Sequence, residues 1–583
     1  MAIRIKSSKG GTRKNRGCLW TIIVCAVLYL CSCVGFAMLV GNAFGNAKLG
    51  DKTVYRIDMK GIVVEQAQED NPFAALSGAV PFGALKQETV GLDDLLSNIK
   101  LAKEDDHVKG IYLKGGSLSV APASAKAIRD ALIDFKTSGK WIIAYAESYG
   151  QTNYYIASVA DKIYLDQVGE VAWHGLSGTK MYYKRILDKI GVEMQVLKVG
   201  TFKSAVEPYF RTSMSEADRK QTEVYLFGIW NNMTAAVAES RHLTVEQMNQ
   251  YADEFMDVQP QEKYIQYGMV DSLVYRQDMD SVLVRLIGDE DYTVITTSKM
   301  ASIERKKNKA KDRIAVVYAE GEITDETGDG IVGTKMIKTL SEVMKDDDIK
   351  AMVFRVNSPG GSANASEQIN HAVKLIQEKG IPVVVSMGDY AASGGYYISS
   401  EADYIYAEPT TLTGSIGIFG VIPNYKGIRE KVGLDIDGVG TNKHAAMLTN
   451  LTMKGMDEGE RALMQAMIER GYDLFTRRCA EGRNIPQDSI KAIGEGRVWL
   501  GQDALRLGLV DELGNIDNAI DKAAELAGIE DYALVYYPKP KDPFEKFMKM
   551  LDNSTEEERL IARIREMVKE PRILMLAPVV EIR

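Results

Sequence analysis

Ser393 is the residue of this chain whose surroundings best suit a nucleophile. It follows a hydrophobic run that ends at Ala392 and precedes the pair Gly394-Gly395, which opens a helix-like segment. A serine hydroxyl is a weak nucleophile, so it needs a base that takes its proton and preorganised N–H donors that stabilise the oxyanion. The fold should therefore bring a base and two donors to Ser393.

Glycines supply the candidate donors. Gly360 and Gly361 lie in a loop after a predicted strand, where they allow backbone amides to face a ligand without a Cβ in the way. Gly394 begins the next helical segment, where amides point outward and favour negative charge. A Pro-Gly-Gly segment alone is typical of a plain turn. Combined with a later Ser-Gly-Gly segment, it favours an oxyanion hole of Gly360 or Gly361 with Gly394.

The sequence indicates the general base less clearly than it indicates the nucleophile. The chain has five histidines, namely His107, His174, His242, His371 and His444. None lies in a pattern that ties it to the serine, so a triad using His371 or His444 is only an alternative. A lysine can serve if burial lowers its pKa from about 10.4 toward neutrality. Lys203 follows Phe202 and precedes the apolar Ala205-Val206, which suits such a buried base.

The body of the chain contains two related copies of one pattern, and a repeat of this kind sets the domain organisation. The matching segments are Val108–Leu113 with Ile349–Phe354, Trp141–Tyr145 with Pro382–Ser386, Tyr154–Tyr164 with Tyr396–Tyr406, and Gly268–Asp271 with Gly508–Asp511. Helices are predicted at 123–136 and 365–378. Alternating strands and helices predict parallel α/β units with right-handed crossovers, in which sites form at the carboxyl ends of the strands.

The two copies differ at the candidate site. Gln151 occupies the position of Ser393 in the first copy, which therefore cannot perform the same chemistry there. Lys443 occupies the position of Lys203 in the second copy and is the alternative base. Lys443 is followed by His-Ala-Ala, whereas Lys203 is followed by Ser-Ala-Val, and we therefore favour Lys203.

The N-terminal segment has the pattern of a membrane anchor. Residues 1–17 form a basic tail without acidic residues, and the uncharged run 18–40 exceeds the ~20 residues that a helix needs to cross a bilayer. The positive-inside rule leaves the basic tail in the cytoplasm and places the body on the periplasmic side of the inner membrane. A cleaved signal peptide and a lipoprotein signal with an acylated Cys33 are the alternatives.

The domain boundaries follow from the repeat. We predict an N-terminal repeat at 46–302, a C-terminal repeat at 313–540, and a C-terminal tail at 541–583. The charged stretch from Ser302 to Arg313 has the composition of a linker. The tail contains the apolar run Ile573–Val580, for which an edge strand or a packing arm is expected.

Composition excludes several classes of function. The chain has 583 residues, 45% hydrophobic and 26% charged, and a net charge of −9, which makes nucleic-acid binding unexpected. Four of its five cysteines fall in the apolar N-terminal run and leave Cys479 alone, so neither a disulfide framework nor a zinc site is predicted. No metal or other cofactor is expected.

Three segments carry a family resemblance: Gly388–Ser399, Thr411–Gly420 and Gly200–Pro208. They resemble the signal peptide peptidase A family in its long, duplicated form, which belongs to the Clp protease and crotonase superfamily. The resemblance implies a serine protease with a dyad of Ser393 and Lys203, in which Ser415 orients the lysine. It further implies a periplasmic homotetramer that digests apolar signal-peptide remnants at the membrane.

Two other classes of function remain open at this point. An acyl-CoA enzyme of the crotonase type would also use glycine-rich oxyanion loops. A catalytically silent membrane scaffold is disfavoured, because the serine, the lysine and both glycine loops are present together.

Overall fold

A computed structural model describes residues 49–66, 88–303 and 308–539, together with the backbone of two C-terminal strands at 573–576 and 581–582. The predicted basic tail at 1–17 and the predicted transmembrane segment at 18–40 lie outside these ranges. Within them, no helix combines the length and the apolar character needed to span a bilayer.

The first copy alternates strands and helices as the repeat predicts. Its strands are β1 (Thr53–Asp58), β2 (Gly61–Val64), β3 (Thr89–Gly91), β4 (Val108–Lys114), β5 (Leu118–Ser119), β6 (Trp141–Tyr149), β7 (Lys162–Val171), β8 (Gly178–Thr179), β9 (Glu193–Lys198), β10 (Ser272–Leu273) and β11 (Thr293–Thr296). Its helices are α1 (Leu92–Glu104), α2 (Pro122–Lys136), α3 (Gln151–Ala157), α4 (Lys184–Ile190), α5 (Glu207–Phe210), α6 (Glu216–Arg241), α7 (Val245–Asp253), α8 (Gln261–Gln266), α9 (Met279–Ile287) and α10 (Thr297–Ala301). Short 3₁₀ turns cover Met256–Val258 and Arg276–Asp278.

The second copy repeats this order. Its strands are β12 (Arg313–Glu320), β13 (Ile323–Thr324), β14 (Ile331–Val332), β15 (Ile349–Ser358), β16 (Gly360–Ser362), β17 (Val383–Ala392), β18 (Tyr404–Ala407), β19 (Leu412–Gly414), β20 (Phe419–Asn424), β21 (Val498–Leu500), β22 (Glu512–Leu513), β23 (Ala533–Tyr537), β24 (Ile573–Leu576) and β25 (Glu581–Ile582). Its helices are α11 (Gly333–Lys345), α12 (Ala363–Glu378), α13 (Gly394–Tyr397), α14 (Lys426–Lys431), α15 (Met447–Asn450), α16 (Glu458–Arg483), α17 (Gln487–Ile493), α18 (Gly501–Arg506) and α19 (Ile516–Ala527).

Each copy is built on a largely parallel sheet. In the first copy the strand order is β10-β7-β6-β4-β1-β11, and every pair is parallel. In the second copy the order is β21-β19-β17-β15-β12-β23, with β18 and β22 branching from β17 and with β21 antiparallel to β19. The protein is thus a mixed α/β fold of two tandem domains, as the repeat predicted.

The central strands are apolar throughout because helices cover both faces of each sheet. Along β12, Ala315 and Val317 pack into one core with α11 and α12, whereas the alternating Ile314 and Val316 face α19 on the other side. The predicted helix at 123–136 corresponds to α2, and the predicted helix at 365–378 corresponds to α12. The strand positions predicted from the repeat are confirmed in the same way.

A further sheet joins the two copies. Its order is β14-β13-β16-β24-β20-β9, so that β9 of the first copy pairs with β20 of the second. The pairing is antiparallel over six residues of each strand, from Phe419 opposite Lys198 to Asn424 opposite Glu193. Main-chain hydrogen bonds therefore fix where the chain that follows β9 enters the second copy.

Candidate active site

Ser393 lies at the turn between β17 and α13, in a strained conformation. Its φ of 57° and ψ of −114° fall in a region that residues with a side chain rarely adopt. The turn is held by the Ser393 N–H, which donates to the Gly414 carbonyl at 2.7 Å, and by the Tyr397 N–H, which donates to the Ser393 carbonyl at 2.8 Å. A strand-to-helix turn of this kind projects a serine hydroxyl toward a site.

The Lys203 amine of the first copy contacts this hydroxyl. Its Nζ lies 2.8 Å from Ser393 Oγ, 3.0 Å from the Ser415 carbonyl oxygen and 3.1 Å from Ser415 Oγ. All three side chains are fully buried. The structure thus brings together Ser393, Lys203 and Ser415, the three residues predicted for this site.

Burial lowers the pKa of the Lys203 amine well below its ordinary value of 10.5. Burial alone causes this shift, because the groups that contact the amine are uncharged, and the Phe419 ring lies 6.0 Å away. Loss of water disfavours the charged form of a buried amine. A neutral lysine has a free lone pair and can accept the proton of the serine hydroxyl.

Two glycines, one before Lys203 and one packed against it, allow the lysine backbone to lie close to the second copy. The loop from the end of β9 to Lys203 turns at Gly200, which has a φ of +104° and packs against the Glu495 carbonyl. At Gly496, with a φ of +76°, a Cβ atom would lie 2.6 Å from Lys203 Cβ. Only glycine fits such a close approach in this conformation.

The glycine loop of β16 lies against the serine turn. A Cβ at Gly394 would be 3.1 Å from the Gly361 nitrogen and 3.2 Å from Gly360 Cα. The Gly360 N–H donates to Ser358 Oγ at 3.2 Å, so this amide already has an acceptor. Gly361, the other candidate of this loop, lies opposite Met575 of β24 in the same sheet.

The alternative bases lie elsewhere. Lys443 is exposed in the segment that follows α14. His371 is exposed on α12, and His444 is half-buried just before α15. The Ser393 hydroxyl, in contrast, is buried against Lys203.

Gln151, at the serine position of the first copy, forms hydrogen bonds that hold a loop. Its Oε1 accepts from the His174 and Gly175 N–H groups at 3.0 Å, and its Nε2 donates to the Gly175 carbonyl at 3.1 Å. Both ends of the side chain are thereby used to close a loop, which leaves it no nucleophilic role.

A buried polar cluster, which sequence reasoning missed, fixes the strands that lead into the site. Glu65, just after β2, accepts from Arg355 Nε at 2.9 Å and from Asn357 Nδ2 at 3.0 Å. Asn357 Oδ1 accepts from the Tyr390 N–H at 3.0 Å, and Arg355 donates to the Met387 carbonyl at 3.0 Å. One carboxylate of the first copy thus ties β15 to β17, the strands that precede the glycine loop and the nucleophile.

A second contact of this kind involves Asp389, which lies within the motif around the serine. Asp389 is buried and accepts hydrogen bonds from the N–H and the hydroxyl of Ser124, on α2 of the first copy. The sequence could have indicated Asp389, because this residue lies in the motif around Ser393. No sequence pattern connects Glu65 to the site.

Comparison with known proteins shows similarity along most of the chain. The sequence matches peptidase family S49 over residues 134–287, which include Lys203, and 376–530, which include Ser393 and Ser415. Protease 4 of Salmonella typhi is 36% identical over 520 residues, covering 86% of this chain and 83% of that protein. Protease 4 of Haemophilus influenzae is 36% identical over 470 residues, covering 76% of this chain and 75% of that protein. The chloroplastic serine protease SPPA of Arabidopsis thaliana is 28% identical over 452 residues, covering 76% of this chain and 66% of that protein.

Replacing Glu65 should destabilise the protein strongly. The substitution Glu65→Ala leaves Arg355, whose side chain is only 5% exposed, without its carboxylate partner. Removal of one member of a buried ion pair costs about 3–5 kcal/mol. Urea unfolding should show this loss, whereas Asp188→Ala, which breaks the exposed pair with Lys184, should cost less than ~1 kcal/mol. Equal effects of the two substitutions would contradict the assigned role.

Replacing Lys203 should stabilise the protein at neutral pH. In the unfolded chain the lysine is protonated up to about pH 10.5, whereas in the folded protein burial keeps its pKa much lower. Between these two pKa values unfolding takes up a proton, so wild-type stability rises with pH by ~1.4 kcal/mol per unit. The variant Lys203→Met lacks this ionisable group, so the pH dependence that the lysine causes is absent. Its greater free energy of unfolding relative to wild type should therefore disappear as the pH rises toward 10.5.

Urea unfolding of both proteins at several pH values measures this difference. Lys443→Met, at an exposed lysine, is the control and should show no pH-dependent advantage. An advantage of Lys203→Met that is absent at neutral pH, or that does not change with pH, would show that the lysine is charged in the folded state.

Proposed function

Because the chain belongs to peptidase family S49, and is therefore a serine protease, we propose that it is a membrane-anchored endopeptidase with Ser393 as nucleophile and Lys203 as general base. The observation that carries this assignment is the 2.8 Å contact between Lys203 Nζ and Ser393 Oγ inside a fully buried site. A nucleophile and a base within hydrogen-bond reach are the signature of covalent catalysis.

The proposed reaction begins when the neutral Lys203 amine takes the Ser393 proton as Oγ attacks the scissile carbonyl. The Gly361 and Gly394 amides stabilise the oxyanion that forms. The lysine, now protonated, is held by the two Ser415 oxygens and passes its proton to the leaving amine. Water then hydrolyses the acyl-enzyme with the same lysine as base.

The strands around the site support a polypeptide substrate. The slot between β16 and β20 holds β24, whose backbone pairs antiparallel with Gly360–Ser362 and with Phe419–Gly420. An extended peptide can pair with the same two edges, which is the usual recognition mode of an open sheet edge. The slot therefore supports cleavage of unfolded chains rather than of folded proteins.

We infer the substrate and the location from the sequence and from its family resemblance. An uncharged N-terminal segment at 18–40, which is long enough to span a bilayer, would hold the catalytic body beside the membrane on the periplasmic side. Remnant signal peptides are apolar chains found in that place, and we take them as the substrates. A homotetramer and a Clp protease or crotonase-like architecture complete the proposal.

Substitution of the dyad should abolish hydrolysis. Ser393→Ala and Lys203→Met should each lower kcat/KM for a short peptide ester by at least about 10²-fold, since a general base contributes ~10²–10⁴-fold. Lys443→Met is the matched control and should retain wild-type activity. Labelling of Ser393 by a peptide phosphonate, located by mass spectrometry, should require Lys203. Full activity of Lys203→Met, or loss of activity in Lys443→Met, would contradict the assignment of Lys203 as the general base.

Removing the C-terminal strands should make the site more accessible. Deletion of residues 573–583 frees both edges that β24 occupies, so phosphonate labelling of Ser393 should become several-fold faster. A shorter deletion of 581–583, which removes only the strand paired with β8, is the control and should leave the rate unchanged. An unchanged rate in the longer deletion would show that β24 does not compete with substrate.

A further inference from the structure

The first copy has a cleft where the second copy has its active site. It lies at the carboxyl ends of β4 and β6, has a volume of about 770 Å³, and is lined by residues that include Lys114, Ser117, Leu118, Glu147 and Asn153. Parallel α/β units form their sites at this end of the sheet. Its size is within the usual range of ligand-binding clefts.

One wall of this cleft is an open sheet edge. In the first copy β5 pairs in parallel with β2, as β16 pairs in parallel with β13 in the second copy. The far edge of β16 carries β24, whereas no strand in the described part of the chain pairs with the far edge of β5. The edge that accepts a strand in one copy is thus open in the other.

Hydrogen bonding shows which groups face the open side. The Gly61 N–H donates to the Ser117 carbonyl at 3.2 Å, so the peptide groups of Ser117 are directed toward β2. Because peptide groups alternate in direction along a strand, those of Leu118 and Val120 point away from β2. These are the groups that an added strand would use.

Asn153 lines the cleft and carries a buried amide oxygen that lacks a donor in the described part of the chain. The residue is 5% exposed, and its Nδ2 donates to the Gly116 carbonyl at 2.8 Å. Its Oδ1 has no hydrogen-bond partner among the described residues. A buried amide oxygen without a donor is costly, and a ligand N–H would satisfy it.

From these features we infer that the first copy contains a second, non-catalytic site that binds an extended stretch of polypeptide by adding it as a strand to the open edge of β5. The polypeptide class of the ligand rests on the proposed peptidase function. Gln151, whose side chain closes the loop at His174 and Gly175, occupies the position that matches Ser393, so the site lacks the equivalent of the proposed nucleophile and binds the chain without cutting it.

The charges around the cleft favour recognition of the main chain over a charged side chain. Arg276 lies 3.5 Å from Glu147, and Lys114 lies 3.9 Å from Asp58. Each cation therefore has a carboxylate partner. Main-chain pairing tolerates many sequences, which suits a site that holds a long substrate while another part of it enters the catalytic slot.

Photo-crosslinking tests this inference in the full-length Ser393→Ala protein. The probe is a ten-residue Leu/Ala peptide with terminal lysines and one central benzoylphenylalanine. We expect crosslinks in two places, at 114–120 or 147–153 in the first copy and beside Gly361 or Phe419 in the second. Val120→Pro removes an edge N–H and should reduce the first-copy crosslinks about tenfold, as expected when strand addition loses main-chain hydrogen bonds. Val120→Ala keeps that N–H and should retain them.

A second variant does not depend on the backbone change. Ser117 is exposed, and Ser117→Trp should fill the cleft and remove the same crosslinks, whereas Ser117→Ala should not. A probe methylated on alternate amide nitrogens should fail to label the first copy. Crosslinks confined to the second copy, or first-copy crosslinks that survive both Val120→Pro and Ser117→Trp, would overturn the inference.

Activity separates this inference from the proposed function. With Ser393 intact, Val120→Pro should leave hydrolysis of a short peptide ester unchanged and raise KM several-fold for a long unfolded polypeptide. An unchanged KM for the long substrate overturns the second site alone. Hydrolysis of the ester by the Ser393→Ala protein overturns the catalytic assignment and leaves the crosslinking result standing.

Discussion

The removal of Lys203 from water is the constraint on which the candidate site depends. A lysine in water is protonated at neutral pH and cannot accept a proton. Here the amine is enclosed with only uncharged groups around it, two of them supplied by Ser415. A carboxylate near the amine would restore its charge, so the oxygen atoms that orient it have to come from a hydroxyl and a carbonyl.

This constraint explains why the two copies are tied together so firmly. The lysine comes from one copy and the serine from the other, and a small displacement would admit water and raise the pKa of the amine. The antiparallel pairing of β9 with β20 fixes the lysine loop along the chain direction. The Glu65 carboxylate and the Asp389–Ser124 contact fix the strands that carry the serine and the glycine loop. Duplication thus places the lysine and the serine in different copies, and buried polar contacts between the copies hold the two side chains together.

Much of this architecture could be predicted from the sequence. The repeat located the parallel strands and the helices α2 and α12, because hydrophobic runs and glycine turns are local signals. The motifs around Ser393 and Lys203 indicated two residues that prove to be in contact. Glu65 could not be found in this way, because its partner Arg355 is 290 positions distant and a single glutamate after a strand is unremarkable. The pairing of β24 with β16 could not be predicted either, because an apolar tail does not specify which sheet edge it will join.

The distance along the chain between Lys203 and Ser393 has a consequence for biosynthesis. The two residues are 190 positions apart, and the second copy contributes both the serine and the carbonyl that holds the lysine. Domains fold largely in order of synthesis, so the first copy can be complete while the serine is not yet made. Until the second copy docks, the Ser393 and Ser415 groups that contact the Lys203 amine are absent. Because Lys203 and Ser393 meet only when both copies are in place, the candidate site is complete only at a late step of folding.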